Sequence, residues 1–235
     1  MTPAAADNKN MEKGAACTMN QTSQTMIFCD FDRSITTEET FVGPLMRLCS
    51  QESLEDCFGR FKRGEIPLRL CIETLFSRVK SSRYPIVEEY AKTIQIREGF
   101  SEFLDTAKEL GIPVVVISGG IRAMQEKLLA PYMDRIEALY SCDLDLSGEY
   151  MNFACKYGSE TENVSKNRII DSYAPEKAIC IGDSLTDFGM AERCEVVFAR
   201  DDLIAYMEKS GRPFFRWETF HDISAELRRM AKAAP

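Results

Sequence analysis

The chain has 235 residues, 45% hydrophobic and 28% charged, with a net charge of −8 and a pI near 5.0. That length buries one full core with room for a smaller inserted unit, and the acidic balance excludes the basic field a nucleic-acid or anionic-membrane partner would need. No apolar stretch reaches the ~20 residues of a membrane span. Residues 1–23 have no apolar segment of the kind a secretory signal carries, so they are expected to be a disordered leader on a cytoplasmic protein.

Nine cysteines, at 17, 29, 49, 57, 71, 142, 155, 180 and 194, include no Cys-x-x-Cys pair and suit reduced, mostly buried thiols. The single histidine, His221, lies far in sequence from any candidate nucleophile, which disfavours Ser-His-Asp and Cys-His chemistry.

The first predicted element is a buried strand over Met26-Ile27-Phe28-Cys29, ending in Asp30-Phe31-Asp32. Carboxylates at i and i+2 of a strand point the same way. Bringing them together costs free energy unless a cation intervenes or one keeps its proton. An aspartyl nucleophile with a neighbouring proton donor requires such a pair, although a polar loop closing a strand is the plain alternative.

Residues 35–98 show no convincing strand but several amphipathic stretches, such as Leu68, Ile72, Leu75, Phe76 and Val79, and read as a helical insertion. A helix follows through Phe100, Phe103, Leu104, Ala107 and Leu110, with Ser101 placed to cap it, Gly111 to end it and Pro113 to stop its continuing. Buried parallel strands are expected at Val114–Ile117, Ala138–Tyr140, Ala178–Ile181 and Val196–Ala199, with a hairpin over Asp143–Tyr157 turning at Ser147-Gly148. Strands alternating with helices indicate a doubly wound parallel α/β sheet.

Three of these runs end in residues with chemical potential. In an open α/β sheet, ligands gather beyond the carboxyl ends of the strands, so the three ends should converge. Besides Asp30 and Asp32 there is Ser118-Gly119-Gly120, where the next helix is expected to begin. A hydroxyl, unhindered N–H groups and a positive helix end there suit a phosphate. The third is Gly182-Asp183-Ser184-Leu185-Thr186-Asp187, whose Asp183 and Asp187 offer hard oxygen ligands of the kind Mg²⁺ prefers, or helix caps. The acidic cluster needs a cation. Lys166, at the start of a helix over Lys166–Asp171 just before the fourth strand, is the choice; Lys156, on the hairpin, is its competitor.

Taken together, Asp30-Phe31-Asp32-Arg33-Ser34-Ile35-Thr36, Ser118-Gly119-Gly120, Lys166 and Gly182-Asp183-Ser184-Leu185-Thr186-Asp187 resemble the four ordered motifs of the haloacid dehalogenase (HAD) superfamily. The resemblance covers residues 26 to about 205. It implies a HAD-like Rossmannoid core with a five-stranded parallel sheet, its first strand central, from residues 24–34 and 99–235. Residues 35–98 would be the small all-helical cap of the phosphoserine-phosphatase-like branch. Within that branch, Ile96-Arg97-Glu98-Gly99-Phe100, Val116-Ile117-Ser118-Gly119-Gly120 and Phe198-Ala199-Arg200-Asp201 resemble the methionine-salvage phosphatases that act on an enol phosphate.

The resemblance also implies an activity: hydrolysis of a small-molecule phosphomonoester with Mg²⁺ and an aspartyl-phosphate intermediate. Asp30 would be the nucleophile and Asp32 the general acid and base. Asp30, Asp32 through its backbone carbonyl, and Asp183 would hold the metal. Asp187 would support the metal through water or orient Lys166. Ser118, Gly119 and Lys166 would clamp the phosphoryl group.

Ser34 stands where motif one usually has Thr, keeping the hydroxyl a substrate contact would use, and Arg33 where a small residue is frequent. Glu39 matches an acid in the phosphoserine phosphatase cap, either facing the substrate or solvated in a first helical turn. The carboxylate-holding arginine of those enzymes would fall near Glu73–Leu75, where there is none, with Arg69 and Arg78 one turn away. Phosphoserine, thiamine monophosphate and phosphomutase chemistry are the alternatives. A dehalogenase would need neither Asp32 nor a metal, and a catalytically silent binding protein would be expected to have lost one of these groups.

Overall fold

The computed structural model describes residues 25–233. The expected leader lies outside the described residues, as does Cys17. Strand β1 (Thr25–Cys29) is apolar on both sides of its pleat, as a strand covered on two faces must be. The chain then makes a tight turn over Phe31–Ile35 and four helices: α1 (Val42–Leu48), α2 (Gln51–Lys62), α3 (Leu68–Phe76) and α4 (Pro85–Ala91). It returns through α5 (Phe100–Glu109), β2 (Val114–Ile121), α6 (Arg122–Leu129), β3 (Ala138–Asp145) and β4 (Asn152–Ala154). The last part runs α7 (Lys166–Tyr173), β5 (Lys177–Gly182), α8 (Phe188–Arg193), β6 (Val196–Ala199), α9 (Asp201–Ser210), β7 (Phe215–Arg216) and α10 (Phe220–Ala233).

The sheet order is β4-β3-β2-β1-β5-β6-β7, with β1 central as expected. It corrects the five-stranded count: among the described residues there are seven strands, of which β4 alone is antiparallel. Strand β4 is the return arm of the hairpin, whose first arm is β3 itself rather than a separate segment. The two residues of β7 are too few to leave a periodic signal.

Alternate residues of β1 face two cores. Ile27 and Cys29 pack with Phe103 and Leu104 of α5 and with Phe220 and Ile223 of α10. Met26 and Phe28 belong to the opposite core, with Ile169 of α7, Met190 of α8 and Leu203 of α9, and this core continues into α1–α4. None of the eight described cysteines is in a disulfide. No helix among the described residues is long and apolar enough to cross a membrane.

Two local expectations change. Ser101 does not cap α5; the helix starts at Phe100 behind Gly99, whose φ of 82° favours glycine and whose missing Cβ would lie 2.8 Å from the His221 backbone nitrogen. Ser118-Gly119-Gly120 does not open a helix either. Strand β2 continues through it to Ile121, with a shift of register against β3 between Ile117 and Ile121, and α6 begins only at Arg122. A bulge of this kind re-aims the strand end, which is how these three residues reach the site.

Helices α1–α4 stand beyond the carboxyl end of the sheet, tied to it in two places. One is the bridge Thr36–Ile96, where the chain leaves and returns. The other is the hairpin: Lys80 pairs with Tyr150, the Met151 N–H donates to the Val79 carbonyl at 2.8 Å, and Phe153 of β4 stacks on Phe76 of α3 at 5.2 Å between ring centroids. Phe41 packs against both rings. Because Phe76 is fully buried in this aromatic cluster, Phe76→Ala is expected to cost about 3–5 kcal/mol. Urea unfolding, read as a lower midpoint at unchanged slope, checks it.

Candidate active site

Strand β1 delivers Asp30 at its last ladder bond, where the Asp30 N–H donates to the Ile181 carbonyl of β5 at 2.9 Å. The turn that follows is closed by the Thr36 N–H donating to the Phe31 carbonyl at 3.0 Å. Asp32 keeps an extended backbone inside it (ψ 129°), and Arg33 takes the left-handed conformation with φ 57°. Both carboxylates therefore reach the same cavity, as i and i+2 residues of a strand would, although Asp32 lies past the strand's end.

Lys166, at the first turn of α7, is 4% exposed. Its ammonium donates to Asp30 Oδ1 and, at 2.5 Å, to Asp187 Oδ1. Asp187 Oδ2 accepts from the backbone N–H groups of Asp183 (2.9 Å) and Ser184 (3.0 Å), so the turn after β5 is fixed by the carboxylate that fixes the lysine. Burial alone would lower the Lys166 pKa, but Asp187 and Asp30 outweigh it and raise it, so the cation stays charged. Lys156 lies instead over the Tyr157 ring at 5.3 Å.

Asp32 is held from the other side. Its Oδ1 accepts from the Thr40 N–H at 2.5 Å and from the Thr40 hydroxyl, and the Ser118 hydroxyl stands 3.4 Å from Oδ2. Ser118 Oγ in turn accepts from Gln125 Nε2 (2.5 Å) and from the Gly120 N–H (3.1 Å). A Cβ at Gly120 would stand 2.8 Å from Gln125 Nε2 and would displace the amide that bonds Ser118. Thr40 and Gln125 are the supports of the candidate site that sequence reasoning missed. Neither belongs to a motif, and only the folding of the turn brings Thr40 back onto Asp32.

These carboxyls carry raised pKa values. Burial lifts Asp32, against the bonds from Thr40. Burial and Asp187 lift Asp30 well above the usual range, with Lys166 opposing. Burial, then Asp187, brings Asp183 to about 7, and burial, then Asp32, brings Glu39 to about 7.

The carboxylate oxygens of Asp30, Asp183 and Asp187 lie within 4.8 Å of one another. Asp183 Oδ2 is buried without a hydrogen-bond partner, and Arg33 Nε is 3.6 Å from it. An all-oxygen, cation-deficient cluster with an unpartnered donor fits a hard divalent ion. Asp187 has both oxygens engaged, which suits the orientation of Lys166 rather than direct ligation.

The cavity, of about 170 Å³, is lined by the acidic and polar residues Asp30, Asp32, Glu39, Gly119, Asn163, Ser184 and Thr186. Its apolar lining is Phe41, Val42, Phe58, Leu68 and Ile72. Ser34 is not on the wall. Its hydroxyl is buried without a partner and its carbonyl accepts from Arg97 Nε at 2.8 Å, so the expected substrate contact is withdrawn. Neither Arg69 nor Arg78 lines the cavity. Arg69 pairs with Glu73 at 2.7 Å and donates to the Ser159 carbonyl at 2.8 Å.

Residues 27–192 match the family described as haloacid dehalogenase-like hydrolase, and the chain belongs to that family. A protein of Microcystis aeruginosa named 2-hydroxy-3-keto-5-methylthiopentenyl-1-phosphate phosphatase is 37% identical over 204 residues, covering 86% of this chain and 97% of its own length. One of the same name from Bacillus thuringiensis subsp. konkukian (strain 97-27) is 30% identical over 212 residues, covering 87% and 96%. In fold, the chain is similar to a phosphoserine phosphatase from T. onnurineus in complex with NDSB-201, with a TM-score of 0.66 at 13% identity over 90% of this chain and 98% of that one. A structure titled as a phospho-aspartyl intermediate analogue of phosphoserine phosphatase gives 0.63 at 18% identity over 91% and 100%.

An acid whose pKa is higher folded than unfolded stabilises the fold below its ordinary value, near 4, and loses that contribution as pH rises through the folded value. Asp183 and Glu39, both near 7, set the window. In chelator, the melting temperature should therefore fall between pH 5.5 and 8.5, and Asp183→Asn should shrink that fall. Calorimetry across the range checks both.

Proposed function

We propose that this chain is a Mg²⁺-dependent phosphomonoesterase working through an aspartyl-phosphate on Asp30, and that its substrate is the enol phosphate 2-hydroxy-3-keto-5-methylthiopentenyl-1-phosphate. The observation that carries the reading is one cavity holding two differently supported carboxylates: Asp30, tied to a buried ammonium, and Asp32, tied to Thr40 and raised in pKa by burial. Two carboxyls whose environments separate their roles are what nucleophilic and acid–base work on one bond requires.

In this reading Lys166 occupies Asp30 Oδ1, leaving Oδ2 to attack phosphorus as the ester oxygen departs. Thr40 saturates Asp32 Oδ1, so Oδ2 carries the proton that passes to the leaving oxygen. Asp32, now ionised, takes a proton from the water that attacks the aspartyl-phosphate, and inorganic phosphate leaves with Asp30 restored. The ammonium of Lys166, the Ser118 hydroxyl and the Gly119 N–H are the donors for the phosphoryl oxygens, where positioning and electrostatics supply most of the acceleration. Asp187 keeps Lys166 aimed. Held by Asp30, the Asp32 carbonyl and Asp183, Mg²⁺ would neutralise charge at the phosphoryl oxygens.

The choice of substrate is supported by the near-full-length similarity to relatives bearing that name. The wall chemistry supports it too: among the cavity-lining residues there is no Lys or Arg to pair with a carboxylate such as that of phosphoserine. Glu39 serves the oxygen substituents of the leaving group, while Phe58, Leu68 and Ile72 offer an apolar surface to its thioether end.

Phosphate release from p-nitrophenyl phosphate tests the reaction class. It should require Mg²⁺, vanish in EDTA, and fall below about 1% of the wild-type rate in Asp30→Asn, whose amide cannot form the phosphoryl ester. Turnover in chelator or by Asp30→Asn would reject the mechanism. A side-by-side rate comparison tests the substrate: kcat/KM for the enol phosphate should exceed that for phosphoserine by at least about 100-fold, or ~2.7 kcal/mol of transition-state binding. Equal turnover would reverse the ranking and leave the phosphatase reaction standing.

A further inference from the structure

Arg33 follows Asp32 directly and has no part in the chemistry above. Its left-handed backbone disfavours any residue with a Cβ, so something must hold it there. Arg97 does: its guanidinium donates to the carbonyls of Arg33 (2.5 Å), Ser34 (2.8 Å) and Thr36 (3.1 Å), and its own N–H donates to the Ile35 carbonyl at 2.7 Å. The turn so held carries the Arg33 side chain between two carboxylates. Nε lies 3.6 Å from Asp183 Oδ2, and Nη2 lies 2.7 Å from Asp201 Oδ2.

The two contacts differ in kind. Asp183 Oδ2 is buried and accepts no hydrogen bond, so Arg33 is the cation beside it without saturating it. Asp201 takes the tighter contact and also the Arg200 Nε at 3.3 Å. Asp201 also has a positive φ, 45°, at the first residue of α9, just after β6. Two non-glycine residues held in disfavoured backbone conformations face each other across one ion pair, and strain of that kind persists only where surrounding contacts over-determine it.

We propose that Arg33 is a positioning residue that competes with a divalent cation for Asp183, and that Asp201 is the anchor drawing its guanidinium away. The pair thereby sets how tightly the metal site binds. A guanidinium this close to a ligand carboxylate both repels a dication and occupies part of the carboxylate's field. The more firmly Asp201 holds Arg33, the more of Asp183 is left for the ion. This inference rests on Asp183 being a metal ligand, as in the function proposed above.

The test is calorimetric titration of the full chain with MgCl₂ after treatment with chelator, alongside melting temperatures in EDTA. Arg33→Gly accepts the left-handed backbone and removes the competitor, so Mg²⁺ should bind about tenfold tighter, ~1.4 kcal/mol. Asp201→Asn releases the guanidinium onto Asp183 and should weaken binding about fivefold, ~1 kcal/mol. The double variant should match Arg33→Gly within about twofold, because Asp201 acts only through Arg33. Should Arg33→Gly fail to fold, Arg33→Gln removes the charge while keeping a polar side chain, and should tighten binding in the same direction.

Unchanged or weaker binding in the folded Arg33 variants would overturn the competition. An undiminished effect of Asp201→Asn in the double variant would overturn the anchoring role. A wild-type chain that takes up no Mg²⁺ would overturn the metal assignment and this inference with it, a result distinct from either of the others.

Discussion

Lys166 carries a charge into a position only 4% exposed, and a buried ammonium is tolerated only where carboxylates and hydrogen bonds replace the water it gives up. Asp30 and Asp187 provide that replacement, and each ties the lysine to a different strand end. Asp30 closes β1, and Asp187 pins the backbone N–H groups of Asp183 and Ser184 just beyond β5. The cation therefore organises the carboxyl edge of the sheet. Burial first, and then the surrounding acids that outnumber its charge, hold Asp30 and Asp183 above their ordinary pKa, so a further cation suits the place.

Around this charge cluster the turn after β1 divides the work. Its inner side presents Asp32 to the cavity, braced by Thr40. Its outer carbonyls are gathered by Arg97, which arrives on the returning segment beside the Thr36–Ile96 bridge. The entry and exit of the helical segment are thus part of the support of the turn that carries Asp32. The far side of that segment leans on the β3–β4 hairpin through Phe153, Phe76 and Phe41. Helices α1–α3 also supply apolar lining of the cavity through Val42, Phe58, Leu68 and Ile72. The buried charge cluster and the apolar lining thus come from different parts of the chain and meet at one cavity.

Much of this was legible before folding. Apolar runs ending in Asp30 and Asp32, in Ser118-Gly119-Gly120 and in Asp183 through Asp187 mark strand ends, since burial on both faces forces continuous hydrophobicity until the chain reaches its ligand edge. Lys166, which opens the helix just before β5, is the lysine that meets Asp30 and Asp187. Less visible were the local details that depend on neighbours. Gly99 starts α5 where Ser101 had the better capping chemistry, because the approach of His221 leaves no room for a Cβ. Strand β2 bulges where a helix start was expected, and the edge strands β4 and β7 fall below the length at which periodicity carries information.

What the sequence by itself determined is the order of the elements and the identity of the charged groups at the strand ends. Those follow from side-chain chemistry and from the short-range periods of strand and helix. What only the tertiary structure decided is which groups meet across long separations: Thr40 on Asp32, Gln125 on Ser118, Arg33 between Asp183 and Asp201, Ser34 turned away from the cavity. None of these pairings has a signature along the chain, because each depends on the angle of a turn or the re-aiming of a strand end. Angles of that kind are set by close packing against elements far away in sequence.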